Sequence, residues 1–123
     1  MGSLTKVYDA CQHFVVKNVY GDHNKSANVR SAIVKIVDGM PDGFKGLNIG
    51  AGQTSFHKSI KNLELEPGLN IDYVGSVLDI PCSDNKFDII LAQEVLEHVE
   101  APDMAVDEIY RVLKVGGYFY LQL

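Results

Sequence analysis

The residues with the clearest chemical promise are not a nucleophile but a turn. Gly50-Ala51-Gly52 follows directly on the apolar run Leu47-Asn48-Ile49 and leads into polar residues. An apolar run that ends in small residues reads as a buried strand leaving a sheet. Glycines there permit positive φ and let a ligand approach closer than a Cβ would. In an α/β sheet such a turn, at the carboxyl end of the first core strand, is where a nucleotide-like ligand binds. A tight turn with no ligand is an equally good reading of the glycines alone. The other reactive types are scattered. Cys11 and Cys82 have no CxxC spacing, which argues against a disulfide scaffold or a zinc ribbon. The histidines at 13, 23, 57 and 98 are not spaced as metal ligands. Nothing in the spacing pairs Cys82 with His57 or His98 as a nucleophile and base.

The elements that must position the turn can be read from pattern. Val29, Ala32, Ile33, Ile36, Val37 and Met40 recur at helical spacing, with Asn24 or Ser26 as cap and Gly39 and Pro41 as the stop. Residues 4–20 mix aromatic and β-branched types, and a helix is the reading. Residues 1–44 are thus expected to be a helical segment packing on a core of residues 45–123, with one domain overall. Tyr8, His13, Phe14 and Tyr20 are expected to pack on the sheet rather than form a substrate lid. Only about ten residues separate Gly50 from Lys61, too few for the helix of a full crossover, so a helical turn or irregular loop is expected. Strands are expected at Ile60–Leu65, Ile71–Val77, Phe87–Ala92 and Tyr118–Leu123. A helical turn is expected over Glu94–Val99. A helix capped by Asp103 should run to Lys114, bury Val106, Ile109, Tyr110 and Leu113, and end at Gly116-Gly117. Strands that alternate with helices or loops imply a mostly parallel sheet of about five strands with right-handed crossovers, an α/β Rossmann-like fold.

Composition bounds the function. At 123 residues the chain holds one modest core. The net charge of −5 is uneven: residues 1–62 carry eight Lys/Arg against four Asp, and residues 63–123 carry three against twelve Asp/Glu. The acidic second half argues against nucleic acid as partner. No apolar run reaches the roughly 20 residues that span a bilayer. The N-terminus has no signal-peptide pattern, so a cytoplasmic location is expected.

From Lys45 onward the order of motifs resembles the class I S-adenosylmethionine-dependent methyltransferases, closest to the group acting on small molecules, sugars and lipids. Four stretches carry the likeness: NIGAGQ, LELEP, LDIPCSDNKFDIILAQEVLEHV and IYRVLKVGGYFYLQL. The resemblance implies S-adenosyl-L-methionine as cofactor and a small-molecule acceptor, and the histidine spacing leads to no expected metal. Gly50, Ala51 and Gly52 would pack on the methionine part. Glu64, with Leu65 beside it, would accept hydrogen bonds from both ribose hydroxyls, and Glu66 is the neighbour to test if Glu64 fails. Ser76 and Val77 fall where the family often places an Asp and a small residue at the adenine. Gln93 would offer oxygens to the cofactor ammonium, while Val95 is core first and site second. His98 and Glu94 follow the fourth strand of the family order, and His98 could be a base for a hydroxyl acceptor, although packing in a turn is its commoner role.

Departures from the pattern matter too. Asn48 replaces the usual acidic residue, Thr54 stands at a common glycine, Ser76 is shorter and neutral, and the first helix is nearly absent. The family sheet usually has seven strands, and the last two have no counterpart here. The resemblance thus leaves Tyr118–Leu123 as an open edge and implies a fragment, an ordered portion of a longer protein, or a homodimer paired through that edge. A catalytically silent binding domain of the same fold is the alternative that these departures favour. A nicotinamide-dinucleotide domain is the third reading. Ser55 stands where its third glycine belongs, and the following connection is too short for a pyrophosphate-binding helix.

Overall fold

The computed structural model describes residues 13–17, 27–52 and 54–122. Six strands form one sheet: β1 (His13–Lys17), β2 (Gly46–Ile49), β3 (Ile60–Glu64), β4 (Tyr73–Val74), β5 (Phe87–Gln93) and β6 (Leu113–Gln122). Their order across the sheet is β1-β6-β5-β2-β3-β4, and every neighbouring pair is parallel. Two helices, α1 (Ala27–Asp38) and α2 (Pro102–Val112), flank it. The central strands β2 and β5 are buried almost throughout, as continuous apolar strands covered on both faces should be.

Each face has its own core. Leu47, Ile49, Leu63, Ile90, Ala92, Phe119 and Leu121 point to the α2 side and pack on Ala105, Val106, Ile109 and Val112. Ile60, Ile89, Leu91 and Tyr120 point the other way and pack on Ile33 and Val37 of α1. The helical spacing of Ile33 and Val37 put them on the buried stripe. The end of α1 is closed by Gly39 N–H to the Ile36 carbonyl (3.2 Å) and Met40 N–H to the Val37 carbonyl (3.0 Å). The expected caps Asn24 and Ser26, and Tyr8 and Tyr20, lie outside the described residues.

Several expectations are corrected. Within the segment read as an N-terminal helix, residues 13–17 form strand β1, in keeping with the β-branched Val15-Val16 beside Phe14. It pairs with β6 from His13 opposite Tyr118 to Lys17 opposite Gln122. The edge from Tyr118 to Gln122, expected to be open and, in one of three readings, to pair in a homodimer, is therefore already paired within the chain. Strand β4 is only Tyr73–Val74, because Gly75 turns away and Ser76 and Asp79 form an isolated antiparallel bridge. Helix α2 starts with Pro102 at its first turn and has no side-chain cap from Asp103. It ends at Val112, and Tyr110 lies 43% exposed, because the buried stripe runs through Ala105, Ile109 and Val112 instead. Gly116 and Gly117 do not end the helix. They lie inside β6, where the register with β5 shifts between Phe87 and Ile89. A Cβ on Gly117 would come within 2.9 Å of the Asp88 and Lys114 carbonyl oxygens.

Among its described residues, the connection from β2 to β3 holds no helix. The turn after β5 is a short 3-10 turn, Leu96–His98. Among the described residues no helix is long and apolar enough to cross a membrane.

Candidate active site

Strand order runs outward from β2 through β3 to β4, then returns to β5 on the other side of β2. The carboxyl ends of β2 and β5 therefore flank the point where the chain reverses direction, the position at which open α/β sheets hold ligands. A crevice of about 290 Å³ opens there. Its base is apolar: Ile49 and Leu63 end their strands into it, and Val77, Leu78, Val95 and Val99 close the sides. Gly50, Glu64, Leu65 and Ser76 line it too, with His98 and Glu100 at the margin.

Gly50 has φ +65°. A Cβ built on it would stand 2.5 Å from Val95 Cγ2, so this residue must be glycine for both conformation and space. Val95 reaches it because Glu94, just past β5, takes φ +53°, a backbone state uncommon without glycine, and swings the chain back over the turn. The Glu94 N–H is held by the Gln122 carbonyl at 2.8 Å. Gly52 also has positive φ, but a Cβ there would meet nothing within 4 Å.

Glu64 joins the glycine turn to the next strand. Its Oε2 accepts the Gly52 N–H at 2.7 Å and its Oε1 accepts the Leu65 N–H at 3.2 Å. Each carboxylate oxygen keeps a second lone pair for a ligand hydroxyl. Ser76 Oγ accepts the Leu78 N–H at 3.0 Å, so its remaining donor, the O–H, is what it can offer into the crevice. The charge pattern is informative. Among the described residues, Glu64 and Glu100 line the crevice and no Lys or Arg does. A pyrophosphate would meet like charge there, whereas a ligand with hydroxyls and a positive centre would be complementary.

Of the residues singled out from sequence, Gly50, Glu64, Leu65, Ser76 and Val77 come together on the crevice, and Gly52 joins them through Glu64. Ala51 is buried behind the turn and does not line it. Gln93 does not line it either. Strand alternation turns its side chain to the α1 face with Ile89 and Leu91. Glu66 is exposed and stands away from the lining.

Two supports were missed by sequence reasoning. Asn62, buried at 2% exposure, donates from Nδ2 to the Thr54 carbonyl at 2.7 Å and to the Asn70 carbonyl at 2.8 Å. It ties the glycine loop to the loop after β3. The signal was a polar residue at an inward position of a strand. Arg111 is the second. It bonds the Ile80 and Cys82 carbonyls and Asp84, each at 2.8 Å, and pairs twice with Glu108. Glu108 also accepts the Ile80 N–H at 2.7 Å. The pair clamps the segment that continues from the Ser76–Leu78 wall. The Arg111 hydrogen bond, helped by the Ile80 N–H, holds the Glu108 carboxyl below its ordinary range, against the opposing effect of burial. The Glu-x-x-Arg spacing on a helix was the available signal.

A family model described as a methyltransferase domain matches residues 47–121. The chain belongs to the class I S-adenosylmethionine-dependent methyltransferase family. Among curated relatives, it is 34% identical over 80 residues to a ubiquinone biosynthesis O-methyltransferase from Chelativorans sp., covering 59% of this chain and 32% of that one. It is 44% identical over 45 residues to an uncharacterized methyltransferase of Schizosaccharomyces pombe, covering 37% of this chain and 16% of that one. A crystal structure of a candidate S-adenosyl-L-methionine-dependent methyltransferase from Methanococcus maripaludis superposes with a TM-score of 0.61 at 22% identity, covering 76% of this chain and 54% of that one. That likeness is one of fold. This methyltransferase-family chain thus spans a third or less of the length of the curated relatives it matches.

Proposed function

We propose that the crevice binds S-adenosyl-L-methionine and that the chain supports methyl transfer to a small-molecule acceptor. One observation carries this reading: the Glu64 carboxylate and the Gly50–Gly52 turn meet, through a 2.7 Å hydrogen bond, at the mouth of an apolar crevice. Glu64 would hold the ribose hydroxyls, Leu65 and Val77 would flank the adenine with Ser76 O–H at its edge, and the turn would admit the methionine chain. The cofactor supplies an electrophilic methyl group on a sulfonium. The protein's part is alignment of nucleophile and methyl group in a shielded place, which by itself lowers the barrier greatly. A hydroxyl acceptor must also lose a proton, and His98, which lines the crevice, would take it. The name of the O-methyltransferase relative favours an oxygen acceptor on a small molecule.

Calorimetry with S-adenosylmethionine, S-adenosylhomocysteine and NAD tests the reading. Binding of the first two alone is expected. Glu64→Ala should weaken both by about 10- to 100-fold, the worth of one or two charge-assisted hydrogen bonds at about 1.5–3 kcal/mol. No binding at millimolar S-adenosylhomocysteine would replace this reading with a catalytically silent domain of the same family.

A further inference from the structure

Two glutamines stand side by side at the crest of the sheet, next to the crevice. Gln93 closes β5 and Gln122 closes β6, and they are partners in the parallel register. Alternation puts Gln93 on the face of Ile89 and Leu91, and Gln122 on the face of Tyr120, so both amides emerge on the α1 side. Neighbouring strands lie about 4.8 Å apart, close enough for both amides to grip one small group. Gln93 is 6% exposed and Gln122 is 0% exposed. Yet Nε2 of Gln93 and both Nε2 and Oε1 of Gln122 have no hydrogen-bond partner among the described residues. The Tyr120 hydroxyl, two residues earlier on the same face, has none among them either. Buried amides are ordinarily satisfied, and a cluster of open donors and acceptors in one place is where a ligand would complete them.

The register also says where this cluster lies relative to the cofactor crevice. Ile49 pairs with Leu63 on one side and with Ala92 on the other. One residue further along, Glu64, Gly50, Gln93 and Gln122 fall in a line across four adjacent strands. Glu64 occupies the end proposed for the ribose. The glutamines occupy the other end, past the turn that would hold the methionine part.

We propose that Gln93 and Gln122 anchor the methyl acceptor, and that the group they hold is a hydroxyl; this rests on the methyltransferase reading above. A hydroxyl accepts a hydrogen bond from the Gln93 Nε2 and donates to the Gln122 Oε1, so it uses a donor of one amide and the acceptor of the other. Both ends of the Gln122 amide are open, so exchanging its oxygen and nitrogen leaves the match intact. An ammonium group needs three acceptors, and the open donors here outnumber the acceptors. The amides bind and orient the acceptor and take no proton from it.

The test uses the full chain labelled with ¹⁵N, whose glutamine side-chain NH₂ signals are assigned with Gln93→Met and Gln122→Met. Catechol, which offers two adjacent hydroxyls to two adjacent amides, is titrated with S-adenosylhomocysteine present, alongside phenol and benzylamine. Catechol and phenol should shift both NH₂ pairs saturably, and benzylamine should not. Gln122→Met should weaken catechol at least tenfold, change S-adenosylhomocysteine affinity less than twofold, and leave Tm at or above that of the unaltered chain, because an unsatisfied buried amide has been removed. If that variant fails to fold, the titration of the unaltered chain still decides. No shift from either hydroxyl probe, an equal shift from benzylamine, or saturation by S-adenosylhomocysteine alone overturns the proposal. Absence of S-adenosylhomocysteine binding defeats the methyltransferase reading and the acceptor role with it. Absence of catechol shifts with S-adenosylhomocysteine bound defeats the glutamine proposal only.

Discussion

Replacing Gly50 by alanine separates two causes that sequence alone would merge. Gly50 and Gly52 both have positive φ, +65° and +59°. An L-residue in that state costs about 1–2 kcal/mol at either site. Any loss of chain freedom in the unfolded state is also common to both, so it cancels in the comparison. Only at Gly50 does the new methyl meet a neighbour, 2.5 Å from Val95 Cγ2. Valine is stiff at χ1 and cannot swing its methyl groups away freely. Overpacking of this kind costs about 1–3 kcal/mol more. Gly52→Ala should therefore lose about 1–2 kcal/mol and Gly50→Ala about 2–5 kcal/mol.

A double-mutant cycle with Val95→Ala isolates the contact. Val95→Ala alone removes two partly buried methyl groups, a loss of about 1 kcal/mol. In the Gly50→Ala background the same change should cost nothing or restore stability, giving a coupling of about 1–3 kcal/mol. Urea unfolding of the four proteins measures it, with S-adenosylhomocysteine titration showing whether the crevice follows. Equal losses at Gly50 and Gly52, or additivity in the cycle, would refute the claim that Val95 closes on the turn.

Asn62→Leu removes two hydrogen bonds worth about 1 kcal/mol each, partly offset by loss of its unpartnered Oδ1. Hydrogen exchange should speed up around Thr54 and Asn70 while Leu121 and its neighbours stay protected. Glu108 has a folded pKa below its unfolded one, so its contribution to stability is complete above the ordinary carboxylate range near about 4.3 and is lost as pH falls through the lower folded value. Glu108→Gln should be less stable at pH 7 and show a shallower loss in urea midpoint below about pH 4. Burial pushes the Cys82 thiol above its ordinary value, with Lys86 opposing. Iodoacetamide at pH 8 should modify Cys82 more slowly than free cysteine, and Lys86→Met should slow it further, as peptide mapping would show.

What could be read from the sequence was whatever rests on local pattern. The apolar runs of β2, β3 and β5 and the 3.6-residue spacing of α1 each report a buried surface directly. The turn at Gly50–Gly52 and the carboxylate at Glu64 were legible because they sit at strand ends. Several of the failures originate in long-range pairing. Residues 13–17 become a strand because β6 offers an edge about a hundred residues later in the chain. Gly116-Gly117 resemble a helix stop, yet the shifted register with β5 places them inside β6. Asn62 and Arg111 act through carbonyls of loops whose paths no local window contains.

The same long-range geometry explains why a crevice exists at all. The chain leaves β2 toward β3 and leaves β5 toward β6, so the two connections diverge above adjacent strands. Divergence alone would open a hole to solvent. Here Glu94 turns the second connection back until Val95 touches the space above Gly50, and Ile49, Leu63 and Val77 supply the remaining apolar wall. The gap is thereby narrowed to a slot with a carboxylate at its mouth. Polarity lies mainly at that rim, and the apolar walls strengthen any charge interaction formed at the edge. A flat, cationic ligand with a diol at one end fits such a slot, whereas a polyphosphate would carry negative charge along its length into walls whose charged residues, among those described, include Glu64 and Glu100 and no Lys or Arg.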